Sequence, residues 1–134
     1  MGGRRGRCAA GNGPASIGPT SAVVNLARKP LPRAGPGRVG AEVPLARHVA
    51  MPRSTSWPSG HSAYAFAFAT SFGAAWPAAG VSLSALASFV AYSRVHTGVH
   101  YRSDTIAGTV SGVALPPLAA VAALRRRRAA RSRA

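Results

Sequence analysis

Acidic residues are almost missing from this chain. Glu42 and Asp104 are the only two among 134 residues, against 17 lysines and arginines, giving a formal charge of +15. So little acid cannot neutralise the basic flanks, which implies an anionic neighbour: nucleic acid, lipid headgroups or a phosphorylated substrate. Cysteine is nearly absent as well. A lone Cys8 excludes an internal disulfide and a cysteine zinc set, and the charged residues before it leave no apolar run of the kind a lipoprotein signal needs. Charge of either sign is scarce in the middle, where Arg94, Arg102 and Asp104 are the only charged side chains between Ser62 and Val121. What is plentiful is apolar character. A share of 47% hydrophobic residues excludes a disordered polycation and suits one domain, 1–134.

The uncharged middle reads as membrane. Three apolar stretches run over about 61–76, 80–93 and 105–124. The first and third approach the roughly 20 residues that a spanning helix needs, whereas the second is short for a span. Small residues dominate all three, as in helices that pack closely in lipid. Pro77 separates the first two stretches, and Pro116 with Pro117 is expected to kink the last. The fold expected is all-α, a multi-pass membrane helical bundle. A soluble bundle of alanine-rich helices is the alternative, but charged faces at helical spacing are missing.

The flanks differ from the middle. Gly11, Gly13, Pro14, Gly18 and Pro19 are expected to interrupt any helix before Thr20, leaving 21–27 as the end of one. The segment reads neither as a membrane span nor as a signal peptide. A basic loop rich in proline and glycine covers 28–58, and loops of that length are usually functional or disordered. Residues 125–134 read as a solvated basic tail. Arginines concentrate on the cytoplasmic side of membrane helices, so the tail puts the C-terminus in the cytoplasm and His61 with the 94–104 turn on the opposite face. The loop carrying Arg28, Lys29, Arg33, Arg38, Arg47 and Arg53 breaks that rule, and a site built to hold phosphate would explain the exception. Arginine clusters without interleaved aromatics argue against nucleic-acid binding.

Two short segments carry chemistry. In "SRVHTGVHYRSD", residues 93–104, Asp104 follows His100 by four positions. If the third helix begins here, the two lie one turn apart on one face, and the carboxylate can orient the imidazole so that its other nitrogen serves as base or nucleophile. Arg94 can grip an oxyanion with its planar fork. Alone, this pair would better suit a satisfied contact at the membrane interface. In "PSGH", residues 58–61, Ser59 is a plausible N-cap, and Gly60 lets an anion approach the free amides of a helix N-terminus. His61 beside such an anion is placed to donate a proton to a leaving group.

Together the two segments resemble the second and third signatures of the type 2 phosphatidic acid phosphatase superfamily, which includes the vanadium haloperoxidases. Pro58, Ser59, Gly60 and His61 match in full, as do Ser93, Arg94, His100 and Asp104. The first signature, lysine, six residues, then Arg-Pro, is damaged: Lys29 is present, but Pro36 and Gly37 stand where Arg and Pro are expected. The resemblance covers about residues 21–115. It implies a helical membrane phosphatase without metal or other cofactor, in which His100 attacks phosphorus, Asp104 supports it and His61 protonates the leaving group. Lys29 and Arg94, with the backbone of Ser59 and Gly60, would hold the phosphate, and Arg38 is the expected deputy for the missing arginine, preferred over Arg33. The family usually has further helices before its first signature, so the bundle is expected to be truncated at its amino end. The implied substrate is a lipid phosphate or a polyprenyl (di)phosphate, and the implied partner is the membrane. An inactive fragment or non-enzymatic basic membrane protein, and more remotely a vanadate-dependent haloperoxidase, stay open as alternatives.

Overall fold

A computed structural model describes residues 3–30, 32–36, 43–51 and 55–132. Among them are four α-helices, α1 (Gly3–Arg28), α2 (Gly60–Ala75), α3 (Pro77–His96) and α4 (Arg102–Arg131), with one 3-10 turn at Leu45–Arg47 and no strand. The all-α expectation holds. The helices alternate in direction, so the C-termini of α1 and α3 and the N-termini of α2 and α4 meet at one end. α2 is the hub, packing on each of the other three.

Many of the large apolar side chains lie on the surface, and among the described residues the core is built from Ala63, Ala67, Ala69, Ala87, Val24 and Val99. Close approach of backbones replaces bulk. Gly108 and Gly112, one turn apart on α4, face α2 so tightly that a methyl at either would overlap a backbone carbonyl oxygen, of Ser59 and Ala63 respectively. On the other side of α2, Gly73 meets Gly80 of α3, where an added Cβ would lie 2.6 Å from the Gly73 Cα. Small-xxx-small contacts of this kind let helices approach without large apolar side chains.

Four boundaries differ from expectation. The glycines and prolines before Thr20 do not interrupt a helix, because α1 continues through Pro14 and Pro19. Tertiary packing outweighs propensity there. Thr20 and Val24 are buried, Ser16 donates to the Ala67 carbonyl at 3.1 Å, and the Ser21 hydroxyl meets the Tyr64 hydroxyl at 3.2 Å. The span lengths are also reversed. α3 has 20 residues and α4 has 30, and both are long and apolar enough to cross a membrane, whereas α2 has only 16, about 24 Å of helix. The reason lies in Pro77, which starts α3 three residues before the apolar run, and in 94–96, which continue it beyond the run. The helix of the third stretch does not stop at 124, since α4 continues to Arg131, with Arg125, Arg126, Arg128 and Arg131 exposed. α4 also runs through Pro116 and Pro117.

An apolar groove of about 550 Å³ opens between α1, α2 and α4, lined by Pro19, Thr70, Ala74, Leu115 and Ala123 among others. It lies in the half of the bundle away from His61 and His100.

The glycine contacts predict a contrast. Gly112→Val, which must displace α2 backbone, should lower stability by about 1–3 kcal/mol, while Gly18→Ala, with nothing within 4 Å of its Cβ, should raise it by about 0.8–1 kcal/mol through helix propensity alone. Thermal unfolding of the two variants in the same detergent measures both, and equal shifts would mean that α4 does not press on α2 here.

Candidate active site

The end of the bundle where four helix termini meet gathers the residues singled out in the sequence. His61 occupies the first turn of α2 and is exposed, while His100 lies in the turn between α3 and α4 and is buried, at 6% exposure. That turn closes through the Arg94 carbonyl, which accepts from the amides of Val99 and His100, both at 3.1 Å, with Gly98 at φ 67°. A left-handed residue at that point favours glycine. His100 thus precedes α4 rather than riding on it, so its approach to Asp104 comes from the turn and not from helical spacing.

Asp104 is completely buried and fully occupied. One carboxylate oxygen, Oδ1, accepts from Nη1 of Arg33 at 3.0 Å. The other, Oδ2, accepts the Tyr101 amide at 3.0 Å and the Ser56 hydroxyl. Nδ1 of His100 stands 3.8 Å from Oδ2, beyond direct hydrogen bonding, and 3.3 Å from the Ser56 oxygen. Ser56 therefore bridges acid and imidazole: Nδ1–H donates to the hydroxyl, and the hydroxyl donates to the carboxylate. Held in this way, His100 keeps its proton on Nδ1 and its lone pair on Nε2. Asp104 also gains from its place in the first turn of α4, where the helix dipole favours a negative charge.

Ser59 sits at the N-cap position of α2, as expected, yet its hydroxyl does not cap the helix; it accepts from the Ser62 hydroxyl at 3.1 Å. Its amide donates to the Asp104 carbonyl at 2.9 Å and is committed to joining α2 and α4. The first-turn amides that follow have no intrahelical acceptor, as in any α-helix. Gly60 leaves room for a guanidinium, because a Cβ there would lie 2.7 Å from Nη2 of Arg28.

The basic residues separate into distinct places. Arg94, at the end of α3, is half-buried, and its charge acts on both His61 and His100. Lys29 is exposed just past α1. Arg33 is occupied by Asp104, donates also to the Ser103 hydroxyl at 2.9 Å, and stacks 4.1 Å above the Tyr101 ring. Its carbonyl accepts the Ser56 amide at 2.7 Å, which fastens the damaged first signature to the site. Pro36, in the vacant arginine position, is buried. Arg38, the expected deputy, lies outside the described residues. Among the described residues no cluster of three or more His, Cys, Asp or Glu could hold a metal ion.

Ser56 and the role of Arg33 escaped the sequence reading, since neither belongs to a signature. The only signal was a polar residue just before "WPSGH".

A family model described as the PAP2 superfamily matches residues 17–128. The chain belongs to the PAP2 superfamily. Two relatives are similar to this PAP2 chain, both named lipid A 1-phosphatase: one from Rhizobium etli, 34% identical over 67% of this chain and 40% of its own length, and one from Rhizobium johnstonii, 33% identical over 74% of this chain and 41% of its own. The PAP2 chain thus spans about two fifths of the length of these relatives. No solved structure matches it.

Burial pushes the His100 imidazole below its ordinary pKa of 6.5; the Ser56 backbone and the Asp104 carboxylate oppose this, while His61 and Arg94 reinforce it. A depressed value means that the unfolded chain binds the proton more readily, so the contribution to stability is constant above pH 6.5 and is lost as pH falls from there toward the folded value. NMR titration of the imidazole should give a midpoint below 6.5, and Asp104→Asn should move it lower still, since that change removes a charge that favours the imidazolium. A midpoint above 6.5 in the wild-type chain would contradict the burial described here.

Proposed function

We propose that this PAP2 chain is a membrane phosphatase that hydrolyses a lipid phosphate or polyprenyl (di)phosphate through a phosphohistidine, without a metal ion. The observation that carries the reading is the fixed imidazole of His100, tied at Nδ1 through Ser56 to a buried carboxylate and sharing its end of the bundle with His61, Arg94 and the α2 N-terminus. Nε2 attacks phosphorus as the bond to the leaving oxygen breaks, and His61 protonates that oxygen. His61 then takes a proton from water, whose oxygen displaces His100 and releases phosphate. Arg94, Lys29 and the amides beginning at Gly60 offset the charge on the equatorial oxygens.

The membrane part of the reading rests on surface character. Val81, Leu86 and Phe89 on α3 and Ile106, Val110 and Leu118 on α4 are all at least 60% exposed, an apolar skin that suits lipid tails. With the arginine-rich end of α4 in the cytoplasm, the active site opens on the extracytoplasmic face. The names of the relatives support trying a lipid A 1-phosphate as substrate beside phosphatidate and polyprenyl (di)phosphates.

Protein purified in detergent should release phosphate from such a lipid in the presence of a chelator, with inhibition by vanadate. His100→Ala should abolish release, and His61→Ala should slow it by about 10²–10⁴, the usual contribution of a general acid. A requirement for added magnesium, or an active His100→Ala protein, would sink the covalent mechanism.

Orientation is tested separately. A reporter fused after Ala134 should behave as cytoplasmic, and Thr97→Cys in a Cys8→Ser background should be labelled by an impermeant reagent on intact cells. The opposite pattern would put the site in the cytoplasm.

A further inference from the structure

The damaged first signature leaves the phosphate one arginine short, and the residue that makes up the loss can be sought among the cations at the site. Arg33 is excluded by geometry. Its guanidinium is already neutralised by Asp104, bonded to Ser103 and stacked on Tyr101. Lys29 is exposed beyond the end of α1. Arg28 is different in three respects. Its Nη2 donates to the Pro58 carbonyl at 3.3 Å and lies against Gly60, at the mouth of the α2 N-terminus. Its charge acts on His61, as does that of Arg94. Its Nε is buried and has no hydrogen-bond partner, the one such side-chain atom among the described residues.

A buried guanidinium N–H without an acceptor is costly, and nearly every such group in a folded protein has one. Nη1 of the same guanidinium donates to the Asn25 side chain at 3.2 Å and Nη2 lies against Gly60, so an anionic or strongly polar acceptor for this group would stand beside the α2 N-terminus. A phosphoryl oxygen meets those conditions. We infer that Arg28, which no PAP2 signature includes, is a phosphate-binding residue of this chain and takes over the role left vacant at position 36. Glycine at position 60 then serves the site by making room for the guanidinium that meets the anion, as well as by exposing the helix amides. The inference rests on the reading of this end of the bundle as a phosphate site.

Binding of orthovanadate to the purified protein, followed by vanadium-51 NMR alongside phosphate release from a lipid phosphate, tests the assignment independently of turnover. Arg28→Gln should weaken vanadate binding at least thirtyfold, Arg28→Lys three- to tenfold because the charge survives while the planar fork does not, and Lys29→Gln less than Arg28→Gln. If Arg28→Gln fails to fold, as judged by circular dichroism, Arg28→Lys decides. Vanadate binding within twofold of wild type in Arg28→Lys, or a larger loss in Lys29→Gln than in Arg28→Gln, overturns the assignment even if the wild-type protein is an active phosphatase. Arg28-dependent vanadate binding by a wild-type protein that hydrolyses no lipid phosphate would uphold the oxyanion site and sink the catalytic reading instead.

Discussion

Everything at the active end depends on how closely α2 and α4 approach. The Ser59 amide reaches the Asp104 carbonyl at 2.9 Å only because Gly108 and Gly112 present no side chain to the α2 backbone. With that contact made, the first turns of two helices lie side by side, one presenting amides and His61, the other presenting Asp104. The apolar residues in this bundle are mostly alanine, so burial of large side chains contributes little. Registration falls instead to backbone contacts, which tolerate far less displacement than a packed leucine would.

Within that frame the scarcity of acid has a consequence. Asp104 is the only acidic residue among those described, and it is buried with both oxygens occupied. An uncompensated buried carboxylate would be strongly unfavourable, and removing one member of such a set exposes the full penalty. Arg33, the Tyr101 amide and Ser56 provide the compensation from three separate segments. The same contacts fix the position of His100, so satisfying the charge and orienting the imidazole are one arrangement. The loop before α2 is thereby held to the site by Arg33 and Ser56, although its sequence shows no periodicity that would have indicated order.

The legible part of this site was the part written in local spacing. Residues 58–61 and 93–104 place His61, Arg94, His100 and Asp104 on helix ends and turns a few residues long, and short-range geometry is what sequence spacing reports. Ser56, Arg33 and Arg28 were not legible, because each acts across contacts 30 to 71 positions apart in the chain. The helix through Pro14 and Pro19 was hidden for a related reason. Propensity argues against it, and only the buried face made by Thr20 and Val24 against α2 outweighs propensity. The lengths of α2 and α3 were misjudged because apolar composition marks where lipid could lie, whereas Pro77 and the turn after His96 determine where the helix begins and ends.

The electrostatics of the site follow from the same distribution. Arg33 and Asp104 cancel, which leaves Arg28 and Arg94 acting on His61 with no further carboxylate among the described residues to offset them. Both sit in the last turns of their helices, where the negative end of the dipole makes them tolerable. The N-terminal end of α2 contributes further positive potential at the same place. On the proposed reading, a dianionic phosphoryl group would meet two guanidiniums and a helix terminus together, and its charge would offset the repulsion among them. Burial first, and His61 and Arg94 after it, disfavour a proton on His100, which is what the proposed role as nucleophile requires. In the proposed mechanism Arg94 would therefore serve twice, drawing in the phosphate and disfavouring a proton on the attacking ring.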